Sequence, residues 1–147
     1  MEFVYNDGGR AKAGYKGNTG DCVCRSICIS TGKPYKEIYD LLAEGNSKEK
    51  PKNGKKKSKT AAKGISTNKK WFKDLMISLG FEWVITMRIG DGCKVHLCEE
   101  ELPKEGIIIV RLSKHYSTVV NGVIHDTYDP SREGRRCVYG YWRLKPQ

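Results

Sequence analysis

No apolar run in this chain approaches the roughly 18 residues that a helix needs to cross a bilayer, so its sequence offers no membrane span. The opening residues, Met1-Glu2-Phe3-Val4-Tyr5-Asn6, lack the basic and apolar regions of a secretory leader. A cytoplasmic address is therefore the expectation. Internal repeats are absent. Apolar residues make up only 38% of 147, enough for one core but not two, so residues 1–147 are read as a single domain. Acidic residues are scarce as well. Seventeen Asp and Glu stand against 27 Lys and Arg, for a net charge of +10.

That charge is concentrated. Asn46 to Lys70 holds ten lysines and a single acid, Glu49, while the remainder is nearly neutral. The same stretch has no aromatic residue and no arginine, so base stacking and bidentate base readout are not indicated. Residues 46–66 read as a flexible insertion. Their lysines suit non-specific phosphate contact with nucleic acid, or attraction of an acidic partner or substrate.

Six cysteines are present. Cys22, Cys24 and Cys28 crowd one predicted helix, and with a cytosolic address the thiols are expected to be free. Cys93-Lys94-Val95-His96-Leu97-Cys98 has a Cys-x₂-His-x-Cys spacing, which departs from the usual paired zinc knuckles. No metal and no cofactor is assigned.

Residues 1–19 read as an irregular lead-in. Asp21 is positioned to cap a helix over Cys22–Thr31, with Gly32 as its terminator. A second helix is expected to begin with Pro34 at its first position, with Tyr35, Ile38, Tyr39 and Leu42 on a core-facing stripe and Gly45 at its end. A third, capped by Thr67 or Asn68 and closed by Gly80, buries Trp71, Phe72, Leu75, Met76 and Leu79. Strand patterns then take over at Phe81–Met87, Gly106–Val110, His115–Val120, Val123–Tyr128 and Arg136–Leu144, with a short helix near Leu97–Leu102. Asn121-Gly122 is a strong hairpin signal. Helices first and an antiparallel sheet afterwards make an α+β domain.

Chemistry enters with Cys22. A cysteine attacks well only as thiolate, and the unpaired N–H groups of a helix start favour that form. The hairpin supplies possible partners. A two-residue turn at 121–122 pairs Val120 with Val123, hence Ser117 with Asp126 and His115 with Tyr128. All four then share one face, with Asp126 diagonal to His115 and within side-chain reach. Asp129 takes that place if a bulge shifts the register. A thiol, an imidazole and a carboxylate so placed form a cysteine-nucleophile site.

Asn18-Thr19-Gly20-Asp21-Cys22 before a helix, Lys114-His115 on a strand and Asp126-Thr127-Tyr128 on the next resemble the papain-like cysteine peptidases, most closely small C39-like bacterial and phage members. The likeness covers about residues 14–42 and 102–131. It implies a papain-like fold, with Cys22 as nucleophile, His115 as general base and acid, and Asp126 as the group that orients the imidazole. It also implies a peptide or protein substrate, peptidase or isopeptidase chemistry with transamidation and deamidation as variants, and host cytoplasm if the chain is phage-encoded. The family's oxyanion-stabilising glutamine lies six residues before its cysteine. Here that position is Lys16, while Asn18 lies four before Cys22 and six before Cys24. Asn18 is accordingly the oxyanion donor implied, and Cys24 the alternative nucleophile.

Overall fold

The computed structural model describes residues 1–16, 20–49 and 65–146. Asn18 and most of the lysine-rich insertion lie outside these described residues. Within them the chain is an α+β fold of three helices and a six-stranded mixed sheet. No helix among them is long and apolar enough to cross a membrane.

Helix α1 spans Cys22–Thr31. Gly32 ends it in the left-handed conformation (φ 73°), sending its N–H to the Cys28 carbonyl, a geometry that costs glycine no Cβ clash. Helix α2 covers Tyr35–Ser47 and buries Tyr35, Ile38 and Leu42. Pro34 occupies the cap position rather than the first helical turn. Gly45 does not stop the helix. A Cβ there would sit 2.3 Å from the Trp71 ring, so its role is close approach of α2 to α3. Helix α3 runs over Lys70–Ser78 and buries Phe72 and Met76. Lys69 stands at its cap, without a side-chain capping bond, one or two residues beyond the expected Thr67 or Asn68.

The strands are β1 (Phe3–Tyr5), β2 (Phe81–Ile85), β3 (Ile107–Leu112), β4 (His115–Val120), β5 (Val123–Asp126) and β6 (Gly140–Leu144). Their order in the sheet is β1-β5-β4-β3-β6-β2. The β4–β5 hairpin turns at Asn121 (φ 47°) and Gly122 (φ 81°), and Val120 pairs with Val123 as the turn chemistry requires.

Three further expectations need correction. The sheet is not wholly antiparallel, because β1 forms within the supposed lead-in and pairs parallel to β5. Its three side chains are all exposed, so no hydrophobic alternation announces it. Residues 97–102 form turns rather than a helix, anchored by buried Leu97 and Leu102. Cys93 and Cys137 are joined as a disulfide with Cα atoms 5.9 Å apart, against the expectation of free thiols. An isolated bridge between His96 and Cys137 draws the two segments together, and the last strand begins only at Gly140.

Strand alternation gives the sheet two apolar sides. Ile109, Tyr116 and Trp142 join the core built with α1, α2 and α3. Ile108, Val110, Val119 and Ile124 face Leu97, Leu102 and Val138 of the β2–β3 and β5–β6 connections. Helix α1 lies against β4, where the Thr118 hydroxyl donates to the Ser26 carbonyl at 3.1 Å. That contact brings the start of α1 towards the start of β4.

Candidate active site

Cys22 is the first residue of α1, His115 the first of β4 and Asp126 the last of β5. The hairpin register brings the last two together. His115 Nε2 lies 2.7 Å from Asp126 Oδ2. Both residues are buried, so water competes little for this bond. The Ser117 hydroxyl donates to the same carboxylate oxygen at 2.7 Å. The Thr127 backbone N–H donates to Oδ1 at 2.7 Å, and the Arg25 guanidinium stands 3.6 Å from that atom. Asp126 is thus an anion held by donors on both oxygens, as a buried carboxylate must be. The Tyr128 ring lies against the imidazole, centroids 5.1 Å apart.

Cys22 and His115 border the same cleft, and the two groups shift one another's pKa. With Nε2 given to Asp126, Nδ1 is the nitrogen left for the sulfur, and Asp126 fixes that tautomer. Burial pushes the thiol pKa up. The His115 hydrogen bond and charge, the Tyr116 backbone N–H and the Arg25 charge outweigh it, and the net shift is downward. Burial likewise pushes the imidazole down, but hydrogen bonds to Asp126 and Cys22 raise it to about 9. Asp126 is lowered, its burial overcome by the bonds from His115 and Ser117. A lowered thiol beside a raised imidazole favours the thiolate–imidazolium pair.

Asp21 does not cap α1 through its side chain. Its carboxylate is fully buried and is taken instead by Arg25, one turn along the helix, and by the Tyr35 hydroxyl. Arg10 reaches both partners, at 3.6 Å from Asp21 and 3.1 Å from the Tyr35 hydroxyl. The negative charge beside Cys22 is therefore neutralised by arginines. Arg25 links this cluster to Asp126. Its spacing of four from Asp21 was a readable signal, as i and i+4 share a helix face.

The alternatives fall elsewhere. Asp129 is exposed, and its carboxylate accepts the Ser131 N–H at 2.9 Å in a local turn. Cys24 is fully buried in the core, its Sγ 3.9 Å from the Tyr35 carbonyl. A hydrogen bond with Cys28, together with burial, pushes its thiol strongly upward. His125 faces away from the site and contacts Asn6 at 3.3 Å. Cys93 is committed to its disulfide, and Cys98 bonds Glu101 at 2.8 Å. Among the described residues no group of three or more His, Cys, Asp or Glu converges as a metal would require.

Cys22 and His115 open onto a cleft of about 390 Å³ bordered by Gly20, Lys114 and Tyr139. The N–H groups of the first turn of α1 have no intrahelical acceptor and can stabilise an oxyanion formed over the sulfur. Comparison with protein-family models, curated proteins and solved structures finds no match.

Proposed function

We propose that the protein is a papain-like cysteine hydrolase, acting as a peptidase or isopeptidase through Cys22, His115 and Asp126. The observation that carries this reading is that Cys22 and His115 share one cleft while Asp126 holds the imidazole at 2.7 Å, with the thiol shifted down and the imidazole up. The order of the three groups, with the thiol at a helix start and the other two on adjacent antiparallel strands, supports the papain-like assignment.

The reaction follows from these parts. The Cys22 thiolate attacks the carbonyl carbon of the scissile amide, and the carbonyl electrons move onto oxygen beside the α1 N–H groups. Collapse expels the amine, which takes its proton from the His115 imidazolium. Water then attacks the resulting thioester as His115 accepts its proton. The acid leaves and the thiolate returns. Transamidation and deamidation use the same steps with a different acceptor or leaving group.

Limiting iodoacetamide, applied from about pH 5 to 9 with the modified cysteine mapped by mass spectrometry, tests this directly. Cys22 is expected to label at least ~10-fold faster than the other free thiols near neutral pH, and the advantage is expected to vanish in His115→Ala. Slow, uniform labelling unaffected by that substitution would overturn the enzyme reading in favour of a non-catalytic basic binding domain.

A further inference from the structure

Beside the cleft lies a second cavity, of about 420 Å³, with a floor of Phe81, Trp83, Tyr116 and Trp142. The two share Thr67, Arg111 and Tyr116 as a common wall. Phe81, Tyr116 and Trp142 are buried, whereas Trp83 remains 39% exposed at the open side. The Trp83 and Trp142 rings are 5.1 Å apart, and the Trp142 Nε1–H donates to the Tyr116 hydroxyl at 3.3 Å. The aromatic floor is therefore fixed by its own contacts. Such a surface favours a large apolar group.

Its rim is cationic. Arg111, Lys73 and Lys145 all border the cavity. The one carboxylate there, Glu82, is already paired with Arg143. Arg111 stands on the shared wall, half-buried, on the same strand face as core residue Ile109. Among the described residues no carboxylate pairs with Arg111, Lys73 or Lys145. A half-buried guanidinium between a nucleophile and an apolar cavity is suited to hold a carboxylate brought by a ligand.

Resting on the cysteine-hydrolase reading, we infer that this cavity is the specificity subsite of the Cys22 centre. Its substrate class is a peptide that carries a bulky aromatic side chain next to an acidic one. The aromatic group lies on Trp83 and Trp142, and the carboxylate pairs with Arg111. The lysines at the rim attract the acidic segment and repel a basic one.

Peptidyl acyloxymethyl ketones test this. The Cys22 thiolate displaces the acyloxy group as a carboxylate, so the rate of covalent modification reports how well each peptide seats. A series of alanine tetrapeptide probes carries one Trp and one neighbouring Asp or Lys, walked through the four positions. Iodoacetamide is too small to reach the second cavity and reads thiol activation alone. At the best position, Trp–Asp is expected to exceed Ala–Asp by about tenfold or more, and Trp–Lys by about tenfold. Arg111→Gln is expected to lower the Asp-to-Lys ratio severalfold, leaving the smaller part due to the rim lysines, and Trp83→Ala to shrink the Trp-to-Ala ratio. Because these are ratios within one variant, partial loss of folding cancels. Fast iodoacetamide labelling of Cys22 with no aromatic or acidic preference would overturn the subsite while leaving the hydrolase reading standing. So would an Asp-over-Lys preference left undiminished in Arg111→Gln. Slow iodoacetamide labelling would overturn both.

Discussion

Cys22 and Cys24 are two residues apart on one helix, yet their surroundings drive the same functional group in opposite directions. Cys22 opens α1 at the cleft, facing His115, the Tyr116 N–H and the Arg25 charge, and its pKa falls. Cys24 points into the core beside Cys28, and its pKa rises. Burial opposes the thiolate at both positions. What separates them is the presence of a cation and donors at one site and a second thiol at the other. The acidity of a thiol on α1 thus depends on which side of one helical turn the sulfur occupies.

The strongest way to break the comparison is to remove the support behind the cation. Asp126→Asn keeps the shape of the side chain but removes the charge that holds His115 protonated and fixes its tautomer. Hydrolysis, assayed with the best peptide of the subsite series, is expected to fall by about 10²–10⁴. The alkaline limb of the rate profile, set by His115 at about 9, is expected to move to lower pH. Stability carries the same signature. An unfolded imidazole titrates near 6.5 (approximately), so the His115 interactions stabilise the native state fully below that pH. Their contribution is lost as pH rises through about 9. Urea unfolding of both proteins across that window is expected to show a smaller alkaline loss in Asp126→Asn. An unchanged limb and an unchanged loss would mean that another group holds the imidazole.

A second break strikes the link between the two environments. Arg25 is buried one turn from Cys22 and pairs with both Asp21 and Asp126. Arg25→Met fills similar space but leaves two buried carboxylates short of a partner. Destabilisation of about 3–5 kcal/mol is expected in urea unfolding, with a slower Cys22 alkylation rate near neutral pH. Adding Asp21→Asn to Arg25→Met is expected to cost much less than the sum of the two single losses, because the two act on one ion pair. Full additivity would show that Arg25 stabilises chiefly by packing.

Much of this arrangement was legible because it rests on local chemistry. Gly32 marked the end of α1 by its left-handed backbone, and Asn121-Gly122 fixed a turn whose register placed Ser117, Asp126, His115 and Tyr128 together. What was not legible depended on long-range pairing. β1 has no alternation and exists only because β5 offers it an edge. The Cys93–Cys137 disulfide needs the His96 bridge to bring its halves together. Asp21 looked like a cap because local rules favour one, but buried arginines compete more strongly for a carboxylate than helix N–H groups do. Arg111 carried no sequence signal, since its importance lies in being shared by two cavities.

The smallest expected effect sharpens the comparison most. Cys24→Ser places a hydroxyl where a thiol packs against α2, and the Tyr35 carbonyl at 3.9 Å from the present sulfur is too distant for a good hydroxyl hydrogen bond. The cost is expected to be about 1–3 kcal/mol of stability, the range for an imperfectly satisfied buried hydroxyl. Removing the second thiol does not touch the His115–Asp126 pair. Iodoacetamide modification of Cys22, measured per folded molecule, is therefore expected to stay within about twofold of the parent rate, since the groups that lower its pKa are His115, Tyr116 and Arg25 and not Cys24. Loss of fast labelling in Cys24→Ser, with the protein still folded by circular dichroism, would move the nucleophile by two residues and reverse the assignment of the two thiols.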